Sequence, residues 1–348
     1  MRILMMMGIL TCLTLRSWAR NDVAPFVADL AAKAAAAEKG DSIKGRVVPG
    51  KEGWLFFAPE LRSLGVGQFW GKEAAKVSHA SNPANADPLP AILDFKAQCD
   101  RTDVELLLVP VPGKATIYPE KISDLAPKDA RSDVQQQAFY KVLTDNGIQV
   151  LDLTPTLIEH RNDAAGPLYC RQDSHWSPQA IELTARVIGE RVKDLPWRTE
   201  LATKEKRRYE TTAQELTIAG DLWTMFGDPE LAKEKLTCSV VNERTAVGAS
   251  PVESWRDSPV ILLGDSHCLI FDVGDDMLVK NAGLASHLAK ALGFPVDLVG
   301  VRGSGATPAR VNLMRRKDNL AGKKLIIWCF TVREFTEAQG WQKVPIVK

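Results

Sequence analysis

The chain is 348 residues long and 45% hydrophobic, enough to bury a full core in one large or two medium domains. Its 44 Lys and Arg nearly balance its 43 Asp and Glu, which excludes the strong positive field that grips nucleic acid. The basic clusters KEKRR (204–208) and RRK (315–317) are short and read as solvated helix faces.

Met1-Arg2, the apolar run ILMMMGILTCLTL and Arg16-Ser17-Trp18-Ala19 follow the charged, apolar, small-x-small order of a secretory signal. Residues 1–19 are therefore expected to be a signal cleaved after Ala19, and the domain to work outside the cytoplasm, in a periplasm if the host is Gram-negative. The run is short for a bilayer span; an uncleaved signal would instead tie the chain to the inner membrane. Residues 20–49 form an N-terminal helical segment, Ala-rich over 22–40 and ended by Gly40. GKEGWLFFAPEL (50–61) predicts a strand entering the main domain, which spans 50–348. NPANADPLP (82–90) is a loop, and a helix follows over 89–101. VELLLVPVP (104–112) has the unbroken apolar run of a central strand covered on both faces. A helix over 130–146 leads to a further strand and exit loop in IQVLDLTPTL (148–157).

Next comes RQDSHWSPQA (171–180), where Ser177 suits an N-cap and Pro178 a first helical turn. The helix runs to about 193, so Asp173 and His175 stand on the loop before it. Their spacing points both side chains to one side of an extended backbone. Residues 195–255 read as an insertion with short strands. SPVILLGDSHC (258–268), FPVDLVGVRGSGA (294–306) and KKLIIWCF (323–330) are each an apolar strand running into a polar or Gly-rich loop. Strands alternating with helices imply a parallel, doubly wound sheet, with chemistry at the carboxyl ends of its strands. Besides Cys12 in the signal there are five cysteines, at 99, 170, 238, 268 and 329. Their odd number and the lack of a C-x-x-C spacing argue against a thiolate zinc site and select no disulfide.

The tripeptide Asp-Ser-His occurs twice, at 173–175 and 265–267. Ser266 follows a strand at a turn that opens a helix, where its hydroxyl is exposed and an oxyanion is favoured. A serine hydroxyl needs a base to become a nucleophile. His175 is the candidate base, and Asp173 the carboxylate that orients its imidazole. The Ser266 N–H and the backbone of Gly303 or Gly305 are candidate oxyanion donors. Arg333, Tyr118, Lys114 and Trp176 are candidate substrate contacts.

The segments GKEGWLFF, VPVPGKATIYPE, LYCRQDSHWSPQA, ILLGDSHC and IIWCFTVREF resemble the alginate O-acetylation proteins AlgJ and AlgX. These are a branch of SGNH-hydrolase-like acetyltransferases. The likeness runs from about Gly50 to Phe335, and single-domain AlgJ is the nearer match, since AlgX carries a further carbohydrate-binding domain. It implies a three-layer α/β/α, flavodoxin-like fold, with Asp173 and His175 as the pair of the DxHW motif and Ser266 as the GDS serine. The Asp-His-before-Ser order reverses the usual SGNH arrangement and is shared with this family. The resemblance also implies an acetyl-serine step without cofactor or metal, an exopolysaccharide acceptor, and a membrane-bound O-acyltransferase partner as acetyl donor. Three other readings compete: an acetyl esterase of the same chemistry, a metal-dependent hydrolase using Asp173, His175, Asp265 and His267, and a non-catalytic envelope protein. The last would bind polysaccharide through Trp54, Trp70, Trp176 and Trp223.

Overall fold

The computed structural model describes residues 7–39, 46–128, 130–198 and 207–348. In chain order the strands are β1 (Val47–Pro49), β2 (Leu55–Phe57), β3 (Glu105–Val111), β4 (Gln149–Val150), β5 (Tyr209–Ile218), β6 (Glu234–Thr245), β7 (Gly248–Pro251), β8 (Val260–Gly264), β9 (Asp297–Gly300) and β10 (Leu325–Thr331). Five of them form one parallel sheet in the order β4-β3-β10-β8-β9.

The central strand explains the layering. All seven residues of β10 are buried, and their side chains alternate between two cores. Leu325, Ile327 and Cys329 join one core, which the helices Met7–Glu38, Ala58–Gly65, Pro178–Val192 and Leu284–Leu292 cover. Ile326, Trp328 and Phe330 join the other, under the helices Leu89–Asp100, Val134–Asp145 and Thr307–Arg315. Helices on both faces of a parallel sheet make the expected three-layer α/β/α fold.

The strand read in GKEGWLFFAPEL is β2, which pairs with β1 as an antiparallel hairpin. The strand and exit loop read over 148–157 are the two residues of β4 and a short connection, and part of the expected loop is instead the start of the helix Thr154–His160, with Pro155 in its first turn. The N-terminal helix is built into the domain: Phe26, Leu30 and Ala34, spaced four apart on one face, are buried in the core. It packs so closely that a Cβ on Gly65 would lie 2.8 Å from Ala31 Cβ. Residues 1–6 of the expected signal lie outside the described residues, and no helix among those described is long and apolar enough to cross a membrane. The five cysteines after Cys12 are buried and free. The insertion is a three-stranded antiparallel sheet, β5-β6-β7, with the helix Asp221–Phe226 between its first two strands.

Candidate active site

The serine turn is set by a close approach of two strands. At the end of β8, a Cβ on Gly264 would fall 1.8 Å from Cys329 O of β10, so only glycine fits. The next residue, Asp265, caps the 3-10 turn Ser266–Cys268 by accepting from the His267 N–H at 2.8 Å. Its second oxygen accepts from the Thr331 N–H at the end of β10, at 2.9 Å. Ser266 thereby sits first in the turn at the carboxyl edge of the sheet, and its backbone N–H has no protein acceptor among the described residues.

The histidine comes from a loop closed by a bridge between Tyr169 and Trp176. Asp173 Oδ1 accepts from the His175 backbone N–H at 3.0 Å and lies 2.6 Å from its Nδ1. That contact fixes the ring so that Nδ1 donates to the carboxylate and Nε2 accepts. Nε2 lies 2.8 Å from Ser266 Oγ, across 91 residues of sequence. Burial disfavours ionisation of Asp173, but the His175 charge and several donated hydrogen bonds outweigh it and hold the carboxyl well below its usual range. Burial likewise disfavours the His175 cation, yet the Asp173 carboxylate prevails, Asp221 adds to it, and the imidazole is raised.

The insertion closes the back of this loop, which the sequence pattern did not reveal. The Asp221 N–H donates to Asp173 Oδ2 at 2.9 Å. The Asp221 carboxylate accepts from Ser174 N at 2.7 Å and Ser174 Oγ at 2.5 Å. At the start of β6, Glu234 accepts from the N–H groups of Arg171 (3.0 Å) and Gln172 (3.2 Å). Gly220 permits the contact, since a Cβ there would lie 2.2 Å from Gln172 O. Glu60, also missed, accepts from Lys114 N at 2.7 Å.

Three of the expected substrate contacts prove to be supports. Lys114 is buried and donates from Nζ to Leu55 O at 2.9 Å and Asp173 O at 2.5 Å, so it pins the loop from beneath. Tyr118 packs on Trp54 with ring centroids 4.6 Å apart. Its hydroxyl donates to Arg161 O and accepts from Leu168 N, both at 2.8 Å. Trp176 is 0% exposed and donates from Nε1 to His267 O at 3.1 Å, tying the two Asp-Ser-His segments together. Trp54 is buried as well, so neither tryptophan offers a face to a sugar.

Of the remaining candidates, Gly303 and Arg333 face a cleft. A cavity of about 1150 Å³ is lined by Phe57, Arg302, Gly303, Ser304, Arg333 and Glu334, among others. Gly303 has φ +98°, a conformation that favours glycine. Gly305 instead packs inward: a Cβ there would meet Phe330 Cβ at 2.5 Å, and its carbonyl accepts from Trp328 Nε1 at 2.8 Å. Glu334 accepts from Ser304 Oγ, and burial, with Asp265 nearby, pushes it up to about 7.

Asp173, His175 and Asp221 place their potential ligand atoms within 4.8 Å of one another, the spacing of a metal site. All four carboxylate oxygens, however, already accept hydrogen bonds from N–H or O–H donors, which a cation would have to displace. Asp265 and His267 do not join this group, contrary to the four-ligand metal reading.

The family profile described as SGNH hydrolase-like domain, acetyltransferase AlgX matches residues 47–332. The probable alginate O-acetylase AlgJ of Pseudomonas aeruginosa is 30% identical over 294 residues, covering 82% of this chain and 70% of that protein. The Pseudomonas syringae protein of the same name is 25% identical over 64% of this chain, which spans 54% of its length. Among solved structures, the O-acetyltransferase domain of Pseudomonas putida AlgJ superposes with a TM-score of 0.59 at 20% identity, covering 83% of this chain and 92% of that one. Pseudomonas aeruginosa AlgX gives 0.61 at 17% identity, covering 88% of this chain and 71% of that one. At such identities the superpositions show the fold.

Proposed function

This chain belongs to the AlgX family of SGNH hydrolase-like acetyltransferase domains, and from that premise we propose that it moves acetyl groups through Ser266 onto hydroxyls of an alginate-like exopolysaccharide. The observation that carries the reading is the 2.8 Å contact between His175 Nε2 and Ser266 Oγ, backed by Asp173 at 2.6 Å. These distances lie within reach of direct proton transfer.

In the first half-reaction His175 takes the Ser266 proton as Oγ attacks the acetyl carbonyl of the donor. The tetrahedral oxyanion is met by the free Ser266 N–H, with Gly303 as the second candidate donor. His175, now charged and stabilised by Asp173, returns the proton to the leaving group, and acetyl-Ser266 remains. In the second half-reaction a sugar hydroxyl loses its proton to His175 and attacks the acetyl carbon. Ser266 leaves and recovers that proton. The expected setting is outside the cytoplasm, with a membrane-bound O-acyltransferase as the physiological donor.

The test is intact-mass analysis after incubation with an activated acetyl ester, with and without a polyuronate oligosaccharide. An adduct of one acetyl group on Ser266, discharged to the glycan, is expected. Discharge to water alone, with no acetylated glycan, would make the chain an esterase. An adduct on another residue would remove Ser266 from the mechanism.

A further inference from the structure

The loop after β9 is built onto the serine turn. At its start the Val301 N–H donates to Gly264 O at 3.0 Å. Near its end a Cβ on Gly305 would lie 3.0 Å from Asp265 N. Between these anchors stand Gly303 and Ser304. Where a Cβ on Gly303 would be, the space is open, and the N–H groups of Gly303 and Ser304 have no protein acceptor among the described residues. Glycines on both sides of Ser304 give this turn little stiffness of its own, so its place depends on what holds Ser304. That is Glu334, whose carboxylate accepts from Ser304 Oγ and is lowered further by a bond from the Ala306 backbone. Glu334 is itself anchored: its carbonyl accepts from Trp341 Nε1 at 3.0 Å, and Trp341 stacks on Phe335.

A carboxylate buried beside a second one is costly. Glu334 is only 3% exposed, and its burial together with the Asp265 charge works against its ionised form. A neutral side chain would suit that space better if filling it were the only role. What the charge supplies is stronger hydrogen bonds to the turn, roughly twice the strength of neutral ones.

We propose that Glu334 is a positioning residue for acyl transfer: through Ser304 it fixes the turn at Gly303 and so presents the free N–H groups of that turn to the oxyanion formed at Ser266. This rests on the acetyl-transfer reading above. Donors held in place before the reaction need no reorganisation as charge develops on the acetyl oxygen. With Ser304 released, the turn spends part of its time out of position, and the oxyanion is then met by the Ser266 N–H alone. Losing one such donor outright costs about 100- to 1000-fold in kcat; one that is displaced only part of the time costs less.

The experiment compares a chromogenic acetyl ester with its thiono counterpart, in which sulfur replaces the carbonyl oxygen. Sulfur accepts hydrogen bonds weakly, so fixed N–H donors favour the oxygen ester. The full chain, Glu334→Gln, Ser304→Ala and the double variant are assayed after thermal melts establish folding. Each single variant should lose about 10- to 100-fold in kcat/KM on the oxygen ester and less on the thiono ester, so that the preference for oxygen falls. The double variant should be no worse than the poorer single one within about twofold, because both act through one contact. A folded Glu334→Gln with wild-type turnover and preference overturns the inference. So does an equal loss on both esters, the mark of a merely structural role, and so do losses that multiply in the double variant. If Glu334→Gln does not fold, Ser304→Ala decides by the same two readouts: a fallen oxygen preference supports the inference, and an unchanged one overturns it. The assay reads acylation of Ser266 whether the acetyl group then passes to a glycan or to water. No acetyl-Ser266 in wild type would fail the reading above and this inference with it, whereas acylation that both variants leave unchanged overturns this inference alone.

Discussion

Asp221→Ala is the sharpest test of how the insertion serves the site. The substitution keeps the backbone N–H that donates to Asp173 Oδ2 but removes the carboxylate that holds Ser174 N and Oγ at 2.7 and 2.5 Å. Hydrogen bonds to a charged acceptor are worth about 1.5–3 kcal/mol each. Part of that is offset, because Asp221 is buried beside Asp173 and the two carboxylates repel, which raises Asp221. A net loss of about 2 kcal/mol in holding the loop corresponds to a fall in kcat of about 30-fold. The pH profile gives an independent readout. Asp221 is one of the charges that raise His175, and activity requires that imidazole neutral. In wild type the acid limb of kcat/KM should lie above the ordinary histidine value of about 6.5. In Asp221→Ala it should move to lower pH. The assay is hydrolysis of a chromogenic acetyl ester from about pH 5 to 9, with a thermal melt to show folding. A folded Asp221→Ala with wild-type kcat and an unmoved acid limb would refute the reasoning.

Other expectations follow from the same contacts. Ser266→Ala should abolish the acetyl adduct and lower ester turnover by at least about a thousandfold, read by intact mass and steady-state kinetics. Lys114→Met should cost about 3 kcal/mol in chemical denaturation, because it strands the buried carbonyls of Leu55 and Asp173. Trp176→Phe keeps a ring but loses the bond to His267 O, so stability should fall by about 1–2 kcal/mol. His175 is raised in the folded state, so its share of wild-type stability should be fully present below the unfolded value of about 6.5 and lost as pH rises through the folded value. Stability measured against pH in wild type and His175→Gln checks that sign.

The fold was legible where burial on both faces left unbroken apolar runs. VELLLVPV, VILLG and LIIWCFT became β3, β8 and β10 in register. Motif chemistry was legible too: Ser177 stands at the N-cap position and Pro178 starts the helix, which sets Asp173 and His175 on the loop before it. Pairing was not legible where tertiary contacts decide it. LFF reads as a strand and is one, β2, but the partner that makes it a hairpin, Val47–Pro49, is itself only three residues long. Asp221 and Glu234 lie in the segment with the weakest periodicity, and each reaches the site through the hydrogen bonds of a single residue, which carry no pattern. Lys114 and Tyr118 misled for a related reason. Polar residues in a loop after a central strand suggest solvent or substrate, and here they satisfy buried carbonyls and N–H groups instead.

The repeated Asp-Ser-His now has a physical reading. Both copies make the same local ring: Asp Oδ1 accepts from the backbone N–H two residues on and contacts that histidine's Nδ1. Their surroundings drive them apart. His267 is almost wholly enclosed, and burial, with the charges of His175 and Arg333 added, lowers it to about 4 despite Asp265. His175 has Asp221 behind its partner and is raised. The two rings lie 4.8 Å apart, and two imidazolium ions so close in a buried site repel strongly. The positive charge is therefore favoured on His175, the ring that faces Ser266, over His267. His267 serves as a wall through its edge-on contact with the Trp176 ring, 5.6 Å between centroids, and through its carbonyl, which accepts from Trp176 Nε1.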